Sequence, residues 1–314
     1  MLLKHEQVGY KPFQYPFAFD YWQAQQKMHW LPEEVPMNND VFDFNHLLTQ
    51  DERDIVTDVL RFFTQGDIDV GDCYIKNYLS FFKPVEVRMM LTAFANMETI
   101  HTQAYSHLVD TLGLPESSYN EFMNIKIMKE KHSLGCRLFK SERDLLKGMA
   151  CYGGFIEGLQ LFGSFSVLMN FQRFGLLKGL GQIVTWSVRD ESLHSEGIIK
   201  LYHELKNEVK LDDELISEII VECRNLLNIE FEFLDYIFRD DRKIRGVDIK
   251  ELKEYLRYIY HMRMDMLELK DNEISKGSSL DYMEDSLNSL EYANFFASKS
   301  TEYTKCSMTG EWEY

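Results

Sequence analysis

Hydrophobic positions after residue 36 recur at steps of three and four, the spacing of amphipathic helices. No segment alternates apolar and polar residues between hairpin signals, so the sequence predicts no sheet. Four of the six prolines fall in the first 36 residues, which leaves the rest of the chain nearly free of helix breakers. The pattern predicts about eight helices, at residues 51–82, 84–113, 118–131, 141–171, 176–207, 211–238, 248–269 and 279–294.

The boundaries of these helices carry recognisable capping signals. Thr49 and Glu52 form a capping-box pattern, and Ser141 precedes a similar start. Long helices with short connections predict an all-α bundle. We expect an extended N-terminal segment over residues 1–36, one helical domain over 37–295, and a flexible tail rich in Ser, Thr and Lys over 296–314.

Composition limits the classes of partner and the compartment. The 314 residues carry a formal net charge of −17, which argues against nucleic acid and against an anionic membrane. The five cysteines form no CxxC pair, and the N-terminus does not have the pattern of a signal peptide. No run approaches the roughly 20 apolar residues that span a bilayer. We therefore expect a soluble cytoplasmic protein with reduced thiols.

Two Glu-x-x-His motifs lie on two different predicted helices, Glu98–His101 and Glu191–His194. Within each motif the two side chains are about 60° apart around the helix axis and one turn along it, so both can bind one cation. Their flanks are apolar, and ionised groups on an apolar face are costly unless they are paired or bind a metal. Two such motifs match the di-metal carboxylate bundles, which need a further carboxylate from each of two other helices.

Candidates for the two further carboxylates are available. Glu157 is the only acidic residue between Asp144 and Asp190, on an otherwise apolar helix. On the helix from residue 51, geometry leaves Asp67, Asp69 and Asp72 open. Oxygen ligands with one imidazole per metal suit iron or manganese. Asp190, next to a ligand position, can accept the free ring N–H of a ligand histidine.

Glycines interrupt the helix that carries Glu157, at Gly153, Gly154, Gly158 and Gly163. Each costs about 0.5–1 kcal/mol relative to alanine in a helix interior. One interpretation is close packing of neighbouring helices. The other is a locally distorted helix that lets Glu157 change how it coordinates a metal. Both interpretations remain open from the sequence.

Four segments, FTQGDIDV, METIHTQAY, FIEGLQLF and RDESLHSEG, resemble the ligand segments of the small subunit of class I ribonucleotide reductases, and the resemblance extends from about Phe19 to the tail. It implies a ferritin-like bundle with two metal ions per chain, iron in the first place, with manganese or a mixed pair as alternatives. Gly158 and Ser187 depart from the pattern, because bulkier apolar residues are common there. The implied ligands are Asp67, Glu98 and His101 for one metal and Glu157, Glu191 and His194 for the other, with Glu98 among the bridging candidates.

The same resemblance implies a radical site and a path to the surface. Tyr105 follows His101 by one turn and matches the tyrosine that the family oxidises to a stable radical, with Asp67 in reach of the phenol to hold it or accept its proton. The segment MHWLPEEV selects Trp30, which implies a path through Trp30, Asp190 and His101. NFFASKSTEY selects Tyr303 as the tyrosine at the subunit interface. The acidic, aromatic C-terminus suits docking into a groove of a partner.

The implied activity is that of a ribonucleoside-diphosphate reductase, in which a tyrosyl radical is passed to the large catalytic subunit for reduction of ribonucleotides. The implied partners are that subunit, a second copy in a homodimer, and a flavoprotein activator. The alternatives are another di-metal oxidase of the same fold, a ferritin-like iron store, or a scaffold with incidental acids. Trp30, Tyr105 and Tyr303 argue against the first, the length and the tail against the second, and Glu157 against the third.

Overall fold

The computed structural model describes residues 2–3, 9–135 and 137–287. Within these residues the only β-structure is an isolated bridge between Ile244 and Val247, so the predicted all-α class is confirmed. A further helical run covers residues 281–287. The α-helices are α1 (Pro16–Lys27), α2 (Asn38–Phe42), α3 (Gln50–Cys73), α4 (Leu79–Phe81), α5 (Val85–Thr111), α6 (Ser118–Glu121), α7 (Lys126–Gly135), α8 (Glu142–Cys151), α9 (Leu161–Met169), α10 (Lys178–Leu205), α11 (Asp213–Ile237) and α12 (Ile249–Met266).

Helix starts follow the capping signals in the sequence. The Thr49 hydroxyl accepts a hydrogen bond from the backbone N–H of Glu52, and the Glu52 carboxylate accepts one from the N–H of Thr49, which completes the predicted capping box. Ser141 caps α8 in the same manner, by accepting from the N–H of Asp144. These local signals fix where the long helices begin, and therefore which turns face the interior.

The centre of the bundle is a buried segment between α8 and α9. Residues Tyr152–Gln160 form a π-helix, all of whose residues are buried. α10, α11 and α12 pack around this segment, while α3 packs along α5 on the other side of the core. The chain from Glu142 to Met169 is thus one long helical rod with an expanded middle, as the prediction of a single helix over 141–171 requires.

The glycines of this rod serve close packing. A Cβ atom at Gly153 would lie 2.3 Å from Cγ2 of Ile198, and one at Gly158 would lie 2.6 Å from Nε of Arg263. Arg263 donates a hydrogen bond to the carbonyl oxygen of Gly158, at 3.0 Å. The first interpretation of the glycines is therefore confirmed. The helix is also distorted, because a π-helix has a wider turn than an α-helix, but a change in the coordination of Glu157 stays a prediction.

Two predicted segments differ in the structure. The N-terminal segment over 1–36 was expected to be extended, yet α1 occupies Pro16–Lys27 and packs on α5. Its proline lies at the first helical position, where the missing N–H costs nothing. The helix predicted over 118–131 is broken at Ile125, whose backbone is extended. In a continuous helix Phe122 and Met128 would be about 120° apart, and the break lets both be buried.

Two further findings concern the cysteines and the possibility of membrane-spanning helices. Cys73, Cys151 and Cys223 are buried and form no disulfide, while Cys136 and Cys306 lie outside the described residues. Across residues 9–135 and 137–287, no helix combines the length and the apolar character needed to cross a bilayer.

Candidate metal centre

The two Glu-x-x-His motifs face each other across the core, one on α5 and one on α10. α3 supplies Asp67 and the π-helical segment supplies Glu157, so four elements meet at one place. Each of these side chains is at most 2% exposed. The ligand atoms form two groups, each with all atoms within 4.8 Å of one another: Asp67, Glu98, His101 and Glu191 in one, and Glu157, Glu191 and His194 in the other.

The other two aspartates of α3 lie apart from this cluster. Asp69 contacts His132, with 2.7 Å between Oδ2 and Nδ1, and Asp72 forms an ion pair with Lys76 at the surface. Of the three candidates that helix geometry left open, only Asp67 points towards the two motifs.

Two glutamates span both halves of the cluster. Oε1 of Glu98 lies 2.9 Å from Nδ1 of His194, and its Oε2 lies 3.4 Å from Nδ1 of His101. The oxygens of Glu191 lie 3.0 Å from Nδ1 of His101 and 3.5 Å from Nδ1 of His194. Glu98 was expected among the bridging ligands, whereas Glu191 was expected to bind the second metal alone. The geometry gives Glu191 the same spanning position.

The atoms that face the middle of the cluster lack hydrogen bonds. Among the described residues, no hydrogen bond of good geometry reaches either carboxylate oxygen of Glu98 or of Glu191, or Nδ1 of His101 or His194. One carboxylate oxygen of Asp67 and one of Glu157 likewise have no hydrogen bond. Buried polar atoms without partners are costly. Four carboxylates and two neutral imidazoles would balance two divalent cations, so the residues fit a di-metal centre.

The electrostatics of the cluster agree with this fit. Burial raises the pKa of Asp67 and of Glu157 well above the usual range, and neighbouring carboxylates add to the effect. Burial acts in the same direction on Glu98, but its contacts with His101 and His194 outweigh it and lower the pKa to about 2. In the absence of cations, the protein therefore opposes ionisation of two of the four acids.

A chain of hydrogen bonds leads away from the cluster. Oδ2 of Asp190 lies 3.2 Å from Nε2 of His101 and accepts from the indole N–H of Trp30 at 2.7 Å. The predicted trio of Trp30, Asp190 and His101 is thus in direct contact. The Trp30 ring also packs on Trp186, with centroids 5.1 Å apart.

Gln25 contacts the metal-centre residues although no sequence pattern predicts it there. It lies on α1, the helix that was not predicted, and is 3% exposed. Its carbonyl oxygen lies 3.0 Å from Nε2 of His194, and its amide nitrogen lies 3.4 Å from Oδ1 of Asp190. It therefore links the outer ring nitrogen of one histidine to the acid that contacts the other. No motif marks this glutamine in the polar stretch around it.

Tyr105 is buried beside the cluster, with 1% of its surface exposed. Its ring stacks on Phe63, with centroids 4.3 Å apart and an interplanar angle of 9°. Its hydroxyl donates to Oγ of Ser187 at 3.0 Å. Ser187, and not Asp67, accepts the phenolic hydrogen bond in this structure. That Asp67 accepts the proton when the phenol is oxidised stays a prediction. Burial raises the pKa of Tyr105 well above the usual range, and the charge of Asp67 raises it further.

Tyr303 and the C-terminal tail lie outside the described residues. The predicted path can therefore be followed from His101 through Asp190 to Trp30 and no further.

A helical bundle with carboxylates and histidines gathered at its centre is the architecture of the ferritin-like proteins. A solved ribonucleotide reductase R2 subunit from Clostridium botulinum superposes with a TM-score of 0.82, at 21% identity, over 91% of this chain and 93% of that one. An R2-like ligand-binding oxidase with a Mn/Fe cofactor gives a TM-score of 0.67, at 17% identity, over 84% of this chain and 97% of that one. At these identities the two structures establish the fold alone.

Sequence similarity establishes the family. The family model described as "Ribonucleotide reductase, small chain" matches residues 7–272. The chain is 36% identical to "Probable ribonucleoside-diphosphate reductase small subunit 376L" of Invertebrate iridescent virus 6, over 96% of this chain and 95% of that protein. It is 28% identical to the ribonucleoside-diphosphate reductase subunit M2 of Rattus norvegicus, over 92% and 73%. The chain belongs to the ribonucleotide reductase small-chain family.

Proposed function

We propose that this chain is the radical-generating subunit of a ribonucleoside-diphosphate reductase, with two metal ions in the buried cluster and a radical on Tyr105. The observation that carries the proposal is a buried set of inward-facing ligand atoms without hydrogen bonds, next to a buried phenol. The family and the names of its members support the same activity and substrate.

The ligand set that we propose divides into two halves with shared glutamates. Asp67 and His101 would hold one ion, Glu157 and His194 the other, and Glu98 and Glu191 would contact both. Iron fits these ligands, as do manganese and a mixed pair. The metal pair would supply the redox chemistry with dioxygen or a reduced oxygen species, which ends in the removal of one electron from the phenol.

The protein contributes a dry and rigid setting for the tyrosine. Phe63 stacks on one face of the Tyr105 ring, and Phe165 stacks in turn on Phe63, with centroids 5.2 Å apart. Such walls exclude water and reductants from an oxidised ring. Oxidation of Tyr105 would pass one electron to the oxidant at the metal pair and the phenolic proton to a base of the cluster, for which we propose Asp67, so that the phenoxyl ring itself carries no net charge.

We propose that His101, Asp190 and Trp30 form the inner part of an electron path towards the large subunit. Their direct contacts support this role, because each step is a hydrogen bond between buried groups. Tyr303 is our proposed next member, and the acidic C-terminus our proposed docking peptide. Assembly as a homodimer and activation by a flavoprotein are further proposals that rest on the family.

The experiment that tests the proposal compares Tyr105→Phe with Tyr255→Phe. Both tyrosines are 1% exposed, and Tyr255 lies on α12, which contributes no residue to the two ligand groups. After loading with iron and exposure to oxygen, we expect the wild type and Tyr255→Phe to give a tyrosyl signal in electron paramagnetic resonance. Tyr105→Phe should bind the same amount of iron without the signal. A tyrosyl signal that persists in Tyr105→Phe would contradict the assignment.

The docking role is tested separately by removing residues 303–314. The truncated chain should keep its metal content and its radical, since the described core does not include these residues. Reduction of ribonucleotides together with the large subunit should be lost. Full turnover by the truncated chain would remove Tyr303 and the tail from the proposal.

A further inference from the structure

A serine faces the Tyr105 hydroxyl from the neighbouring helix. Ser187 lies on α10, one turn before Glu191, and is fully buried. Its Oγ accepts the phenolic hydrogen at 3.0 Å. Among the described residues, the Tyr105 hydroxyl makes no other hydrogen bond.

The chemistry of the two groups makes the contact adaptable. A serine hydroxyl has one donor hydrogen, which rotates freely about the Cβ–Oγ bond, and two acceptor lone pairs. A phenol has a hydrogen to donate, whereas a phenoxyl oxygen can only accept. Ser187 can therefore serve both states of Tyr105, as acceptor before oxidation and as donor after it. A carboxylate can only accept when ionised.

The surroundings make this contact decisive for the orientation of the phenol. The stacked Phe63 ring restricts the Tyr105 ring but supplies no polar contact. A buried hydroxyl that loses its partner costs free energy. The direction of the Tyr105 O–H bond therefore depends on Ser187. The side from which a hydrogen-bond donor reaches the phenoxyl oxygen depends on Ser187 as well.

We propose that Ser187 is a positioning residue for the Tyr105 radical: it accepts the phenolic hydrogen in the reduced state and donates its own hydrogen to the phenoxyl oxygen in the oxidised state. The inference rests on the proposed function, in which Tyr105 is the radical site. A purely structural serine would affect the stability of the fold without changing the magnetic properties of the radical.

The primary test is high-field electron paramagnetic resonance with electron–nuclear double resonance on the iron-loaded protein in H₂O and D₂O. The wild-type radical should show one exchangeable deuteron that is hydrogen-bonded to the phenoxyl oxygen and coupled to the unpaired electron. Ser187→Ala should lose that coupling, and its largest g component should rise, because a hydrogen bond to the oxygen lowers this component. Ser187→Thr, which keeps the hydroxyl, should restore both.

Ser166→Ala is the matched control. Ser166 is also fully buried, but its hydroxyl donates to the carbonyl oxygen of Gly163 on its own helix, at 2.7 Å. This variant should leave the radical spectrum unchanged. Loss of a single hydrogen bond is worth a factor of about five in an equilibrium, so we also expect the radical of Ser187→Ala to decay several times faster than in the control.

A second measurement uses the metal-free protein labelled with ¹³Cζ-tyrosine. The Tyr105 resonance, identified from its absence in Tyr105→Phe, should move in Ser187→Ala and return towards its place in Ser187→Thr. If Ser187→Ala does not fold, Ser187→Cys replaces the strong acceptor by a weak one and should move the resonance in the same direction.

The outcomes separate this inference from the proposed function. A wild-type radical on Tyr105 without an exchangeable deuteron, or with one that survives in Ser187→Ala, overturns the role of Ser187 and leaves the radical assignment standing. If no radical depends on Tyr105, the proposed function fails, and with it the role of Ser187 in the oxidised state. An unmoved carbon resonance in the metal-free variant would independently contradict the hydrogen bond.

Discussion

Two groups of buried charges in the described part of the chain are compensated in different ways. Lys131 on α7 and Glu230 on α11 form a fully buried ion pair, and the ammonium lies 3.9 Å from the ring centre of Phe62. The central cluster holds four carboxylates instead. Among the described residues, no lysine or arginine donates a hydrogen bond to any of these four, Asp67, Glu98, Glu157 and Glu191.

The difference shows which buried charges indicate a function. In the pair of Lys131 and Glu230, the chain supplies both signs of charge, and the pair has a structural explanation. The central cluster has four acids against two histidines, no ion pair with lysine or arginine among the described residues, and ligand atoms without hydrogen bonds, so the chain alone does not complete it. Burial of an acid is by itself a weak sign of a metal site, whereas several buried acids and histidines whose facing atoms lack hydrogen bonds are a strong one.

The largest effect that we expect is stabilisation of the central cluster by cations. A ligand that binds only the folded state adds about 4 kcal/mol at a thousand times its dissociation constant. Two manganese ions should thus raise the free energy of unfolding of the metal-free protein by about 8 kcal/mol under such conditions. Chemical denaturation at increasing Mn²⁺ concentration measures this gain.

A matched pair of aspartate variants sharpens this prediction. Asp67→Asn should lose about half of the gain, because Asp67 would hold one of the two ions, while Asp72→Asn, at the exposed ion pair with Lys76, should keep it. Equal gains in the two variants would mean that the cations bind outside the cluster.

The next largest effect is expected at the buried ion pair of Lys131 and Glu230. Lys131→Met leaves Glu230 buried without its counter-charge, which typically costs 3–5 kcal/mol. Manganese binding should not change, because Lys131 is not part of the cluster. The double variant Lys131→Met, Glu230→Leu should recover most of the stability, and its failure to do so would show that the pair contributes more than mutual neutralisation.

The smallest effect is expected at an ion pair near the surface, Glu52 with Arg245. Burial alone would raise the pKa of Glu52, but hydrogen bonds from Arg245 and from the backbone of Thr49 outweigh it and lower the pKa to about 2. The carboxylate therefore stabilises the fold above its ordinary pKa of 4.5, and this contribution disappears as the pH falls towards 2. Glu52→Gln should cost about 1.5–3 kcal/mol at pH 7.

The pH dependence of this variant carries the test. Denaturation curves of the wild type and Glu52→Gln should converge as the pH is lowered from 6 to 3. A difference that stays constant over this range would contradict the assigned direction of the pKa shift.

Much of the helical core could be predicted because periodicity and ligand chemistry act over short distances. The two Glu-x-x-His motifs lie within single helical turns, and Glu157 stands out as a lone acid in an apolar helix. Such features are visible in the sequence without knowledge of the tertiary structure. The choice of Asp67 over Asp69 and Asp72 needed more than helix geometry, because small rotations of α3 decide which of them faces inward.

The rest depended on contacts between distant parts of the chain. The prolines near the N-terminus argued against a helix there. Pro16 is nevertheless compatible with α1, because it lies at the first helical position, where proline is tolerated. Gln25 and Ser187 gain their roles only when α1 and α10 pack beside the cluster. The π-helical turn at Glu157 likewise has no local signature beyond its glycines, since these are equally suited to close packing.

The central claim is that the buried cluster binds two cations. X-ray diffraction from crystals of the manganese-loaded protein, recorded at the manganese absorption edge, tests it most directly. We predict two anomalous peaks per chain, one near Asp67 and His101 and one near Glu157 and His194, with Glu98 and Glu191 between them. Anomalous peaks only at surface carboxylates, or none at all in the core, would contradict the account.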